Sequence, residues 1–341
     1  MRAVRLHAKE DIRIDDLPDV VPGPGQVRVA PAHNGICGSD LHMYFQGSFG
    51  VTDGPIVLGH EFSGVVDAVG DGVTRVAVGT PVAVRPFHQC NSCYRCAQGH
   101  THLCKPLSCV GCGAEGGGLA EHVLLPEHMV FALPDGVSLE RGALVEPMAV
   151  SYQGILRADL TPDARSVVFG AGPIGIGTFL GLRALGHEGI VMVEPSPVRR
   201  AAVEALGAEV VLDPAVHDVA AEVRARTGGR GADAVFECAG VPASFRGGLS
   251  SLAARGRLVI VAIYEEIVPW QPAMLMMDEL EIRSALAYQP GVFEAVLGLM
   301  AEGHYQPNGW VEHIPLDAVV DEGFVPLRRG ERLKVLVDVG G

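Results

Sequence analysis

Apolar and polar positions change rhythm once along the chain. Over the first ~150 residues, short runs alternate or stay apolar for a strand's length between Pro and Gly: Val27–Ala30, Phe62–Val66, Pro81–Val84 and Ala120–Leu124. That pattern predicts an irregular, mostly β domain with long loops. The rhythm shifts near Ala149. From Ser166, apolar strands (Val167–Phe169, Ile190–Val193, Val210–Leu212, Ala234–Phe236, Leu258–Val261) alternate with helical stretches. One helix runs to about Leu185, and another from Pro197 to Leu206 is closed by Gly207. Strands separated by such helices predict right-handed βαβ units and a doubly wound parallel sheet, an α/β architecture. After Pro290 the pattern predicts a helix over Phe293–Glu302, a loop with Pro307 and Asn308, and a terminal strand over Leu333–Asp338. The rhythm divides the chain at about residues 150 and 290. No internal repeat or low-complexity segment interrupts it.

Composition narrows the classes. At 341 residues the chain has room for about two domains at roughly 150 residues each. Hydrophobic residues make up 48% and charged residues 19%, which supplies two cores and excludes disorder. Lys and Arg number 26 against 40 acids, a formal charge of −14. That surplus argues against nucleic acid or an anionic membrane as partner, because phosphate binding needs clustered cations. No apolar run approaches the ~18 residues of a membrane span. The longest candidate, Ile174–Val193, is cut by Arg183, His187 and Glu188. Met1–His7 lacks the apolar stretch of a signal peptide, so the expectation is a soluble cytoplasmic protein.

Four of the eight cysteines stand close together, as Cys90-x2-Cys93-x2-Cys96-x7-Cys104. In a reducing compartment this spacing points to zinc, four thiolates closing a tetrahedron with no open position. Such a lobe (88–106) is too polar to bury a core, so the metal would supply its folding energy. Two disulfides or free thiols are the plain alternatives.

Three further groups lie apart in sequence: Gly35-Ile36-Cys37-Gly38-Ser39-Asp40-Leu41-His42, then Gly59-His60-Glu61, then Val145-Glu146-Pro147. A thiolate, an imidazole and a carboxylate are the ligands expected of a catalytic zinc with one exchangeable position. Singly, Cys37 reads as a core thiol, His60 as a satisfied core histidine and Glu146 as an acid at a helix start.

Gly170-Ala171-Gly172-Pro173-Ile174-Gly175 follows a strand and opens a helix, the setting in which G-x-G-x-x-G binds a dinucleotide. The first glycine makes the turn, the second admits the pyrophosphate, and the third allows close helix–strand packing. Glu194 stands 19 residues past Gly175, at the end of the next strand. There a carboxylate accepts ribose hydroxyls and repels a 2′-phosphate, favouring NAD over NADP. Arg199 nearby is of the type that pairs a 2′-phosphate and leaves NADP as the alternative.

The ordered set G-I-C-G-S-D-L-H, G-H-E, the four-cysteine lobe, E-P and G-A-G-P-I-G resembles the zinc-dependent medium-chain dehydrogenase/reductase family. The resemblance covers essentially the whole chain, including Glu312–Leu316 and Glu322–Phe324, and within the family it is to the polyol branch of butanediol, sorbitol, idonate and threonine dehydrogenases. It implies a Rossmann NAD-binding domain over 151–290, a GroES-like catalytic domain built from 1–150 with 291–341, and two Zn2+ per chain. One would be held by Cys37, His60 and a carboxylate, Glu61 ranking ahead of Glu146; the other, structural, by Cys90, Cys93, Cys96 and Cys104. Ethanol-type relatives carry cysteine where Glu146 stands, and a carboxylate there suits a hydroxyl-rich substrate. Ser39 matches the family's proton-relay hydroxyl, and His42, three residues on, shares its face if the segment is helical. The other reading is that Ser39 caps that helix and His42 is a surface imidazole. In polyol-type relatives an arginine placed like Arg199 accompanies NAD, near the adenine. Val261, Ala262, Ile263, Ala285 and Leu286 would flank the nicotinamide. Relatives are usually dimers or tetramers, which implies a homo-oligomer.

The expected activity is hydride transfer between NAD and a secondary alcohol, a vicinal diol or polyol such as 2,3-butanediol. Threonine, sorbitol or sugar-acid oxidation on the same machinery is the alternative. A zinc-free NAD(P)H-binding relative without catalysis is the alternative of another class, and it has no need of the Cys37, His60 and Glu61 set. Of the remaining residues, Cys109 and Cys112 read as an incidental pair, Cys238 as unassigned, and Gly116–Gly118 as a backbone-shaping loop. Met274, Met276 and Met277 read as a packing surface, and Phe45, Phe49 and Trp270 as walls of a substrate pocket.

Overall fold

The computed structural model describes residues 1–47, 54–105, 108–113 and 116–340. Phe49 lies outside them. The chain divides into two compact units, Met1–Glu146 with Gln289–Gly341, and Pro147–Tyr288.

In the first unit, a seven-stranded sheet runs Val130–Ala132, Pro81–Val84, Glu61–Val69, Gln26–Gly35, Lys334–Asp338 and Val311–Pro315, with Val123–Pro126 also paired to Gln26–Gly35. Alternation of apolar residues fixes which face is buried. Val27, Val29, Phe62, Val66, Val82, Val123 and Leu125 meet in one core cluster. A second cluster joins Val4, Leu6, Ile36, Met43, Leu58, Phe324, Val335 and Val337. The C-terminal strand is therefore integral to the sheet. Leu336 lies opposite Gly35 and Asp338 opposite His33. The register between Gln26–Gly35 and Glu61–Val69 shifts twice, the second time between Pro31 and His33. Pro31 has no N–H to donate, and a bulge is where a strand tolerates that. The strand expected over Ala120–Leu124 lies instead at Val123–Pro126.

The second unit is a six-stranded parallel sheet in the order Val210–Leu212, Val191–Val193, Ser166–Phe169, Ala232–Glu237, Leu252–Ile260 and Glu281–Ser284. The first strand in sequence sits centrally and the order reverses beside it, the doubly wound arrangement of a Rossmann fold. Successive strand residues point to opposite faces, and both faces are covered. Val168, Met192, Ala234, Phe236 and Val259 join one core cluster, whereas Val167, Phe169, Val191, Val235 and Leu258 join another. That explains why these strands read as continuous apolar runs. Among the described residues no helix is long and apolar enough to cross a membrane.

Candidate metal centres and dinucleotide turn

Cys37 is the residue before the helix Gly38–Gln46 and serves as its N-cap. Its backbone N–H donates to Asp40 Oδ2 at 2.9 Å. Ser39 is thus inside the helix rather than its cap, and the capping alternative does not hold. His60 and Glu61 arrive from the start of the strand Glu61–Val69, both buried. Ligand atoms of Cys37, His60 and Glu61 lie within 4.8 Å of one another. Glu146, buried in the first turn of the helix Val145–Ala158, is not a member of that group.

This set fits a metal ion on the chain's own geometry. His60 Nδ1 and Asp40 Oδ1 are buried 3.5 Å apart, and neither has another hydrogen-bond partner. A carboxylate there holds the imidazole with Nδ1 toward Asp40 and Nε2 toward the ligand group, as supporting carboxylates do for ligating histidines. Ser39 Oγ lies 3.4 Å from His60 Nε2, and His42 follows Ser39 by three positions in the same helix. In the polypeptide alone, burial and the Glu61 charge push the Cys37 thiol up. Burial opposes the charge on His60, but Asp40 and Cys37 overcome it and raise its pKa well above the ordinary imidazole value. Glu61 also accepts from Lys334 Nζ, which donates in addition to the Ile36 carbonyl at 2.9 Å.

The four-cysteine lobe brings its sulfurs within 4.8 Å of one another. Cys93 and Cys96 sulfurs are 3.5 Å apart and Cys90 and Cys96 4.0 Å, close to the ~3.8 Å separation that Zn–S bonds of about 2.3 Å impose in a tetrahedron. Backbone N–H groups of Cys90 and Cys93 donate to Cys104 and Cys90 sulfurs at 3.3 Å. Hydrogen bonds from Ser92 and Cys93 lower the Cys90 thiol to about 5, while burial and neighbouring sulfurs push Cys96 up to about 12. Four sulfurs in this arrangement do not all ionise without a cation. None of the four is in a disulfide. Cys109 and Cys112, which read as incidental, are bonded to each other.

In the other unit, Gly170 has φ +96°, open to glycine, and an added Cβ would lie 3.1 Å from the Ala239 nitrogen. At Gly175 a Cβ would lie 1.8 Å from the Gly170 carbonyl oxygen, so helix and strand could not approach as they do. A Cβ on Gly172 meets nothing within 4 Å, leaving the helix N-terminus open to a ligand. Ile174 is half-buried in that helix's first turn. Glu194 is buried beyond the strand Val191–Val193, and its two oxygens accept from the Ala171 N–H at 2.8 Å and the Ser196 N–H at 2.9 Å. It is held against the glycine turn. Arg199 Nε is buried without a hydrogen-bond partner, whereas Arg200 donates to the Glu194 carbonyl and pairs with Asp213. Val261, Ala262 and Ile263 follow the carboxyl end of Leu252–Ile260, and Ala285 and Leu286 that of Glu281–Ser284.

Sequence reasoning missed three residues. Asp40 and Lys334 act on ligands distant or indirect in sequence. Glu237, buried at the end of its strand, accepts from Ala239 and Gly240 N–H groups and from Ser244 Oγ. An acid ending an apolar run was the available signal. Phe45 packs at the edge of the first unit's core under Arg328, and Trp270 lies against Phe245 in the second unit.

Two family models match, the alcohol dehydrogenase GroES-like domain over residues 23–135 and zinc-binding dehydrogenase over 173–302. The (R,R)-butanediol dehydrogenase of Bacillus subtilis (strain 168) is 37% identical, with 99% of each chain covered. A crystal structure of 2R,3R-butanediol dehydrogenase from Bacillus subtilis superposes with TM-score 0.91 at 36% identity, covering 99% of both chains. That of a proposed zinc-binding dehydrogenase from Sinorhizobium meliloti 1021, bound to NADP, does so with TM-score 0.91 at 29% identity, covering 99% of this chain and 98% of that one. With a thiol, imidazole and carboxylate converging in one unit and a dinucleotide turn in the other, the chain belongs to the zinc-dependent medium-chain dehydrogenase/reductase family, in its polyol branch, and is an oxidoreductase.

Proposed function

We propose that the protein oxidises a secondary alcohol, a vicinal diol such as 2,3-butanediol, with NAD as hydride acceptor. The products are the ketone, NADH and one proton. The observation that carries this reading is the convergence of Cys37, His60 and Glu61 next to the Ser39 hydroxyl. Zinc held by those three residues would acidify a substrate hydroxyl and polarise the carbonyl of the reverse reaction. Asp40 fixes the ring of His60. Ser39 Oγ takes the hydroxyl proton and passes it toward His42 on the same helix face. Gly172 leaves room for the pyrophosphate at the helix N-terminus. Glu194 accepts the adenosine ribose hydroxyls, and a buried carboxylate at that position repels a 2′-phosphate. Arg199 would contact the adenine, and Val261–Ile263 with Ala285 and Leu286 would flank the nicotinamide. Similarity to a butanediol dehydrogenase over nearly the whole chain supports a diol.

Cys90, Cys93, Cys96 and Cys104 would hold a second zinc, which would supply the folding energy of their lobe. In the second unit Ile267, Met276 and Met277 are 92%, 76% and 87% exposed. Those side chains are the ones a homo-oligomer would cover.

The test is NAD reduction over a panel of diols, polyols, sugar acids and threonine, with zinc counted by elemental analysis. Cys37→Ser is expected to abolish turnover while NAD still binds. Turnover that survives complete removal of metal would overturn the reading, as would a panel in which no secondary alcohol reduces NAD.

A further inference from the structure

A third group of ligating side chains lies outside both cysteine-bearing sites. The strands Gln26–Gly35, Lys334–Asp338 and Val311–Pro315 are adjacent in the first unit's sheet. Asp338 is the register partner of His33 on one side and of Pro315, two residues beyond His313, on the other. Because residues two apart share a face of a sheet, His33, Asp338 and His313 project from the same side. Their side chains converge. His33 Nδ1 and His313 Nδ1 each lie 2.8 Å from the same oxygen, Asp338 Oδ1, with the ring centroids 5.2 Å apart. The opposite nitrogen of His313, Nε2, lies 3.1 Å from Glu140 Oε1, brought in by the helix Leu139–Ala143.

We propose that His33, His313 and Asp338 form a binding site for a divalent transition-metal ion, Zn2+ by the chemistry of the set, with Glu140 as its supporting carboxylate. Two imidazole nitrogens and a carboxylate oxygen within 4.8 Å of one another are a ligand set that zinc accepts. The Glu140–His313 contact is the arrangement by which a carboxylate fixes the tautomer of a ligating histidine, Nε2–H toward the acid and Nδ1 toward the ion. Proton balance agrees. Without metal, Asp338 Oδ1 and Glu140 accept from both nitrogens of His313, which therefore carries two protons. The ion takes the place of the Nδ1 proton, which leaves to solvent, and His33 shifts its proton to Nε2. Opening the 2.8 Å contacts to the ~3.3 Å that ligand bonds near 2.0–2.1 Å require needs only small side-chain rotations. The groups are 24–42% exposed, so the ion exchanges with solvent. It would fasten residue 33 to residue 338 across a separation of 305 in sequence. None of these side chains belongs to the Cys37 set, and the inference does not depend on the proposed reaction.

The experiment is a titration of Zn2+ alone into tag-free protein carrying the ions that co-purify with it, by equilibrium dialysis with elemental analysis and by calorimetry. One further equivalent is expected, together with a rise in Tm at saturation. Asp338→Asn and His33→Gln should each lose that equivalent and the Tm rise, while keeping the co-purifying ions and NAD binding. Glu140→Gln, which leaves all three ligands in place, should weaken it about 10- to 100-fold, and it serves if a ligand variant fails to fold. No further equivalent in the parent, or one bound with parental affinity by folded Asp338→Asn, overturns the proposal.

Discussion

Lys334 and Glu61 are 1% and 2% exposed in their side chains, and they form an ion pair inside the first unit. Replacing Lys334 with Met keeps most of the aliphatic volume but removes the cation. The ammonium also donates to the Ile36 carbonyl at 2.9 Å, next to the ligand Cys37. Leaving one charge of a buried pair uncompensated costs about 3–5 kcal/mol. For a unit of this size each kcal/mol moves Tm by roughly 2–4 °C, so metal-free Lys334→Met should melt about 6–20 °C below the metal-free parent. Glu61, however, also faces Cys37 and His60 within 4.8 Å. If a divalent cation sits there, it compensates the same carboxylate, and the penalty should shrink to less than half in metal-loaded protein.

Scanning calorimetry on parent and variant, with and without zinc, separates the two states and resolves the transitions of the two units. The double variant Glu61→Gln/Lys334→Met supplies the control, since it removes both charges and should recover most of the metal-free loss. An equal drop in Tm with and without metal would refute the reasoning, because Glu61 would then not be shared with an ion. A drop of under about 1 °C in the metal-free protein would refute the buried pair itself.

Gly172→Ala should leave Tm unchanged, since its Cβ meets no atom of the chain, yet weaken NAD binding measured by NADH fluorescence. Gly175→Ala should lower Tm as well as cofactor affinity, because its Cβ would sit 1.8 Å from a carbonyl oxygen. Glu194→Gln loses the charge behind two short hydrogen bonds; it should weaken NAD about 10-fold or more and narrow the preference over NADP, read as the ratio of kcat/KM for the two cofactors. Asp40→Asn should weaken zinc at the Cys37 set about 10- to 100-fold in a competition with a chromophoric chelator, leaving the four-cysteine ion in place.

What could be read before folding was local. The four-cysteine spacing and the glycine turn each lie within one short segment, so the chain itself dictates their geometry. The alternating apolar runs likewise placed most strands, and where the strand at Val123–Pro126 slid past its expected position, Ala120–Glu121–His122 carried too weak an alternation to fix its start. The Cys37, His60 and Glu61 set was legible only because three motifs occurred in one order, not because any distance could be inferred. Lys334 opposite Glu61 is 273 residues away and sits in an ordinary-looking terminal strand. No periodicity marks a lysine that will be buried. The same holds for His33 and Asp338, which become neighbours only through strand pairing.

Those unread residues share one physical origin. The C-terminal strand Lys334–Asp338 inserts beside Gln26–Gly35, and every second side chain on it faces the residues leading to Cys37. Lys334 reaches Glu61 at one end, and Asp338 reaches His33 and His313 at the other. A strand supplying charge to both ends of one face constrains both sites at once. Loss of the strand's pairing would free the Glu61 carboxylate and separate the two histidines together, whereas a side-chain change at either end should leave the other intact. Lys334→Met and Asp338→Asn lie four residues apart on the same strand, and additive effects of the two on Tm would show that the backbone pairing, not a chain of side-chain contacts, is what the two sites have in common.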